Sequence, residues 1–193
     1  YMHKTVLSSE SLLENVLARA KELAMKGIDL YATPALRFFL YNNIGPEELE
    51  NRGVFTPGLI AANFTRLDDS DILSSAKYWA DHDDPVLADL AGRLISRNLL
   101  AVELQNRPFP EDRIEELREK ARVMMKIDQQ ISRYYIFTDS ISNLTYAPDA
   151  PEVRILLKNG KTAGIREVSD MFDHDLLSEK VTKYFLCYPK ELR

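Results

Sequence analysis

Four stretches of this 193-residue chain carry residue types that could do chemistry. Asp81-His82-Asp83-Asp84 sets an imidazole among carboxylates, the donor types of a metal centre. A His-Asp pair needs another His upstream and a distant Asp to complete such a centre. The chain holds only His3, His82 and His174. Asp84-Pro85 is also a helix-start signal, so the run reads as an acidic inter-helix loop ending in an N-cap. Asp170, Asp173, His174 and Asp175 form a second acidic cluster. It lacks the glycine and glutamate positions of an EF-hand loop and reads as a solvated loop beside a short helix. Tyr1-Met2-His3-Lys4 packs a phenol, an imidazole and an ammonium into one expected helical turn. Such a set can hydrogen-bond or stack on a sugar and meet phosphate. Arg97 adds a guanidinium. By residue type alone these four polar groups read as surface residues.

The single cysteine, Cys187, falls in a predicted strand and reads as a buried apolar side chain rather than a nucleophile. One cysteine excludes an intrachain disulfide and a Cys-rich zinc site. No G-x-S-x-G, G-x-x-x-x-G-K or G-x-G-x-x-G occurs. The chain therefore has no self-contained catalytic constellation, and no catalytic or metal-ligating residue is assigned.

With 25 basic and 30 acidic residues the net charge is −5. That lacks the basic footprint of a dedicated nucleic-acid binder. It leaves room for small phosphorylated ligands, which need only one or two well-placed cations. At 45% hydrophobic and 28% charged the composition is that of a globular protein with one full core. The longest apolar runs, such as Tyr184-Phe185-Leu186-Cys187-Tyr188, fall far short of the roughly 20 residues of a membrane span. Residue 1 is tyrosine and leads directly into a helical pattern without signal-peptide architecture. The expectation is a cytoplasmic chain that is a piece of something longer.

The elements that would position these groups follow from spacing. Apolar residues three and four apart from Val6 to Lys26 predict an amphipathic helix stopped at Gly27, with Glu14, Arg19, Lys21 and Glu22 on its polar side. Thr33-Pro34, Thr56-Pro57, Asp68 and Asp84-Pro85 each open a further helix. Ile72, Leu73, Ala76 and Trp79 or Tyr78 are the expected buried stripe of the Asp68 helix. Val86, Leu87, Leu90, Ala91, Leu94 and Ile95 are that of the Asp84 helix. Leu99–Leu104 is a candidate strand, and Pro110 opens a long helix to about Met125, with acids in its first turn. Near residue 133 the texture changes. Tyr134–Thr138 is β-rich, Asn159-Gly160 predicts a hairpin with a type I′ turn between Val153–Leu157 and Ala163–Val168, and Val181–Tyr188 predicts a last strand. The fold class expected is α+β: a mainly helical region over residues 1–130 and a small α+β appendage over 131–193.

Two stretches carry a resemblance. Tyr1-Met2-His3-Lys4-Thr5-Val6, with the run to Arg19-Ala20-Lys21-Glu22-Leu23, resembles the helix that follows the metal site in HD-superfamily dNTP triphosphohydrolases. Leu67-Asp68-Asp69-Ser70-Asp71-Ile72, then Asp84-Pro85, then Arg97-Asn98-Leu99 is similar in order to the helices that end that family's helical domain. The aromatic strand Tyr184–Cys187 is similar to the tail of the SAM-and-HD-domain enzymes. The resemblance implies that Tyr1 borders the substrate pocket. It implies that His3, Lys4 and Arg97 contact activating nucleotides at subunit interfaces. Met2 and Ala101 depart from the pattern of the SAM-and-HD-domain enzymes, which have a polar residue and a lysine there.

What the resemblance implies for function is the C-terminal part of an HD-family phosphohydrolase that cleaves a dNTP to deoxynucleoside and triphosphate. The parent would use a divalent metal to activate water and neutralise phosphate charge. Its ligands would lie upstream, so that residues 1–193 alone are inactive. Deoxynucleotides and a second copy of the chain are the expected partners, with no membrane and no dedicated nucleic-acid binding. The alternative is a non-catalytic helical module that binds another protein.

Overall fold

Helix α1 (Lys4–Met25) is the axle of the fold. Leu12, Val16 and Ala20 on its inner stripe are fully buried. It packs against α2 (Pro34–Tyr41), α6 (Pro85–Ile95) and strand β1 (Ala101–Gln105). The helix ends as expected: Gly27 takes φ +82°, its N–H donates to Ala24 O at 3.0 Å, and the Ile28 N–H donates to Leu23 O at 3.0 Å. That pair of bonds satisfies two carbonyls that the last turn would otherwise leave open, and the left-handed residue between them favours glycine.

A computed structural model describes residues 3–50, 52–142, 154–164 and 182–193. The remaining helices are α3 (Pro46–Leu49), α4 (Pro57–Phe64), α5 (Asp69–Trp79), α7 (Glu111–Met125) and α8 (Gln129–Ser132). Their starts follow the capping signals. Thr56 Oγ1 accepts from the Leu59 N–H at 3.3 Å, Asp84 Oδ1 from the Leu87 N–H at 2.8 Å. Asp68 and Asp71 cap each other's backbone N–H reciprocally. Among the described residues no helix is long and apolar enough to cross a membrane.

The main sheet has the order β1-β5-β2, with β2 at Phe137–Ser142 and β5 at Thr182–Tyr188, all antiparallel. β5 is central, and Cys187 lies opposite Val102 on one side and Phe137 on the other. Residues on both sides of position 130 thus share one sheet, and Leu186 and Cys187 join the same core as Leu12, Leu87 and Leu117. The α+β class is as expected, helical mainly in the N-terminal part.

Local expectations needed correction in several places. The strand anticipated from Tyr134 starts only at Phe137, because Asp128 caps the short helix α8 and Tyr134, Tyr135 and Ile136 close turns back onto Ile131 and Ser132. Leu73 is half exposed, whereas Ser75 takes a buried place beside Ala76 and Trp79; Ile95 likewise ends up exposed. The hairpin of β3 (Arg154–Leu156) and β4 (Thr162–Gly164) exists, but its turn is not type I′. That turn needs positive φ at both central residues. Here only Gly160 has one, at +79°, and its N–H donates to Leu157 O while the Leu157 N–H donates to Lys161 O. The connection is therefore a turn closed by a glycine bulge. Val153 and residues 165–168 of the expected hairpin, and Val181, lie outside the described residues.

Candidate functional site

The most connected polar cluster is built on Arg19. Its position follows from the period: residues 12, 16, 19 or 20 and 23 share the inner face of α1, so Arg19 points inward and is 9% exposed. The sequence reading placed it on the polar side. Its guanidinium grips Asp84 at two points, Nε to Oδ1 at 3.1 Å and Nη2 to Oδ2 at 2.7 Å. Nη1 donates to Glu22 Oε2 at 2.7 Å, and the Tyr134 hydroxyl donates to the same oxygen at 2.6 Å. The Tyr134 ring lies 5.8 Å from the guanidinium carbon, and Asn15 Nδ2 donates to Tyr134 O at 3.2 Å. Asn15, Arg19, Glu22 and Tyr134, with Gln130, Ile131 and Arg133, line an open cleft of about 410 Å³.

The electrostatics lock the protons of this cluster. The Asp84 hydrogen bond is the main reason Arg19 is held more firmly protonated than usual, with Glu22 adding to it. Glu22 is held down to about 2 by Lys26, Tyr134 and Arg19. Burial alone would raise Asp84, yet Arg19 and the Leu87 N–H outweigh it and keep the carboxyl below its ordinary value. Burial and Glu22 push Tyr134 up. Arg19, Glu22, Asp84 and Tyr134 thus all keep their ordinary neutral-pH charge states. Their role is to pin α1 to the starts of α6 and the α8 turn rather than to move protons.

These residues do not fit a divalent cation. Both Asp84 oxygens are taken by Arg19, and His82 Nδ1 accepts from the Asp84 N–H at 2.9 Å. Among the described residues no three His, Cys, Asp or Glu side chains converge to hold a metal. The Asp81–Asp84 run is the inter-helix loop expected from its capping pattern. The cluster at Asp170, Asp173, His174 and Asp175 lies outside the described residues, as does Tyr1. Cys187 is fully buried in β5, and burial pushes its thiol up to about 12.

His3, Lys4 and Arg97 need one correction and gain one link. His3 is not inside a helical turn: it is the extended N-cap of α1, with φ −80° and ψ 129°, and Lys4 is the first helical residue. His3 Nδ1 accepts from the Thr5 N–H at 3.3 Å, which leaves the ring proton on Nε2 as a donor. Arg97 takes a left-handed φ of +58° just past the end of α6. Its N–H donates to Leu94 O at 3.3 Å, and among the described residues its exposed side chain has no ion-pair partner. The Ser8 hydroxyl donates to Leu100 O at 2.9 Å and is buried. Ser8 is one turn after Lys4, and Leu100 is three residues after Arg97. This contact joins the start of α1 to the segment following Arg97.

No family model matches the chain. It is similar to YwfO, an uncharacterized protein of Bacillus subtilis (strain 168), with 27% identity over 199 residues that take in 100% of this chain and 42% of that protein. A second similarity is decisive for the fold. The chain folds like part of a phosphohydrolase. That protein, from Bacteroides thetaiotaomicron VPI-5482, has a crystal structure that matches with a TM-score of 0.76 and 42% identity. The match covers 97% of this chain and 45% of the other. The chain spans less than half the length of both relatives.

Proposed function

We propose that this chain is the C-terminal part of an HD-type, metal-dependent phosphohydrolase that cleaves a dNTP to its deoxynucleoside and triphosphate. The observation that carries the hydrolase reading is the 42% identity sustained over 97% of the chain with a phosphohydrolase of the same fold. The dNTP substrate rests on the resemblance of the Tyr1–Val6 and Arg97–Leu99 stretches. In this reading the divalent metal belongs to residues outside the segment, and Tyr1 contributes to the wall of the substrate pocket.

His3, Lys4 and Arg97 are assigned to an activating nucleotide. The start of α1 supports this on electrostatic grounds. The first turn of α1 holds no acid, unlike those of α5 and α7, and it carries Lys4 instead. A cation at a helix N-terminus opposes the macrodipole, and an anion there relieves both. Nε2 of His3, the Lys4 ammonium and the Arg97 guanidinium supply donors of the kind that phosphate groups take.

The test is to incubate the intact protein with each dNTP and a divalent metal and separate the products. Deoxynucleoside and triphosphate in equal amounts are the expected result. Release of monophosphate or pyrophosphate would overturn the reaction assigned. No turnover of any dNTP, alone or in mixtures that supply both substrate and effector, would leave the non-catalytic module as the better reading.

A further inference from the structure

The hairpin turn at Asn159-Gly160 holds a reactive pair that the hydrolase reading does not use. Asn159 is the only asparagine of the chain that precedes a glycine. Both residues are exposed, and so are Lys158 before them and Lys161 after them. Gly160 has no Cβ, so nothing on that residue obstructs the approach of its backbone nitrogen to the Asn159 side chain. Asn159 Oδ1 accepts from the Lys161 N–H at 3.0 Å. That donor draws electron density from the side-chain carbonyl, and it sits where negative charge develops when a nucleophile adds to Cγ. The two lysine ammonium groups favour the same charge. One contact opposes reaction: the Gly160 N–H donates to Leu157 O at 2.9 Å, so the nitrogen is engaged while the turn is closed. That restraint is weak. β3 and β4 form a two-stranded sheet of their own, with three residue pairs among the described residues. A ladder of that size is marginal and opens locally at little cost.

We infer that Asn159 is a site of spontaneous covalent modification, at which the side-chain amide is lost to Gly160 and replaced by aspartate and isoaspartate, with water as the co-reactant. Hydroxide takes the proton from the Gly160 nitrogen. The nitrogen bonds to Asn159 Cγ, the Cγ–Nδ2 bond breaks, and Nδ2 leaves as ammonia with a proton from water. The cyclic imide then adds water. Breaking its bond from nitrogen to Cγ gives aspartate. Breaking its bond from nitrogen to the backbone carbonyl carbon gives isoaspartate. In sum, one amide and one water become one carboxylic acid and one ammonia, and nothing is oxidised or reduced. Isoaspartate carries the chain through Cβ and Cγ, which lengthens the backbone by one atom. The closure from the Leu157 N–H to Lys161 O, 2.8 Å in the intact turn, is then out of register. Either product sets a carboxylate between Lys158 and Lys161 and makes the chain one charge more acidic.

The test is to incubate the folded protein in mildly acidic and in mildly alkaline buffer, with the denatured chain run alongside to set the time scale. Samples are separated by anion exchange, digested and read by mass spectrometry, and isoaspartate is counted with an isoaspartyl-specific methyltransferase. A more acidic isoform is expected to accumulate in the folded protein at a rate that rises in proportion to hydroxide. Its mass gain, that of an amide becoming an acid, should map to Asn159, with both aspartate and isoaspartate present. Asn98 and Asn106 are exposed and precede Leu99 and Arg107, so they serve as references and should stay amides over the same time. An Asn159 that remains intact in the folded protein over the time that converts it in the denatured chain overturns the inference. Equal conversion of Asn98 or Asn106 overturns it as well, because Gly160 would then confer nothing. In a second arm, Asn159→Gln, which would have to close a larger imide ring, should abolish the acidic isoform; persistence of that isoform in the variant also overturns the inference. No turnover enters either arm, so the outcome is independent of the hydrolase reading.

Discussion

Arg19 and Asp84 stand 65 residues apart in the chain and meet in a two-point ion pair whose side chains are 10% and 15% exposed. Asp84 also caps α6, so one carboxylate both starts a helix and ties it to α1. Truncating one partner of such a pair leaves the other charge desolvated and typically costs about 3 kcal/mol or more. Arg19→Met should therefore lower the urea midpoint markedly. Adding Asp84→Asn should recover much of the loss, because asparagine still caps the helix and carries no charge. A double variant as unstable as Arg19→Met would show that packing, not charge, is what Arg19 supplies.

Acid should weaken this cluster in a defined window. The folded-state value of Glu22 lies at about 2, below its ordinary 4.5, and Asp84 is also depressed. Carboxyls with depressed values stabilise the fold fully above their unfolded values. That stabilisation is lost as pH falls from about 4.5 toward 2. The unfolding midpoint should decline through this range, and Glu22→Gln should flatten the decline. Because Glu22 is about one-third exposed, solvent screening reduces its contribution. A midpoint independent of pH from 5 to 2.5 would contradict the assignment.

Arg97 allows stability and ligand binding to be separated. Its left-handed φ of +58° is strained for any residue with a Cβ. Arg97→Gly should raise stability by about 1 kcal/mol. If the guanidinium holds effector phosphate, both Arg97→Gly and Arg97→Ala should lose about 1.5–3 kcal/mol of effector binding. That corresponds to a roughly ten- to hundredfold higher dNTP concentration for activation or assembly. Lys4→Ala should act in the same direction but less, since an ammonium lacks the planar fork. Identical activation curves for wild type and Arg97→Ala would remove the effector role.

Cys187 should behave as part of the core. It is fully buried in the central strand, and its thiol is raised to about 12. A thiol-specific disulfide reagent at pH 8 should react with it only after denaturant unfolds the sheet. Rapid labelling of the native protein would show that β5 opens locally.

What the sequence by itself determined is what neighbouring residues settle among themselves. Thr56-Pro57, Asp68 with Asp71, Asp84-Pro85 and Gly27 mark helix ends because each end is closed by hydrogen bonds spanning a few residues. The three-four spacing of Leu12, Val16, Ala20 and Leu23 marks the face of α1 that turns inward for a similarly local reason. The tertiary structure decided the rest. Arg19 looked like a surface cation until Asp84 was folded against it. Tyr134, in a β-rich run, became a turn residue donating to Glu22, 112 positions away. The Ser8 hydroxyl reaches Leu100 O, tying α1 to the residue before β1 across 92 residues. Each of these depends on closing a long loop, and the entropy of that closure is met by burial summed over the whole core rather than by any signal in the residues nearby.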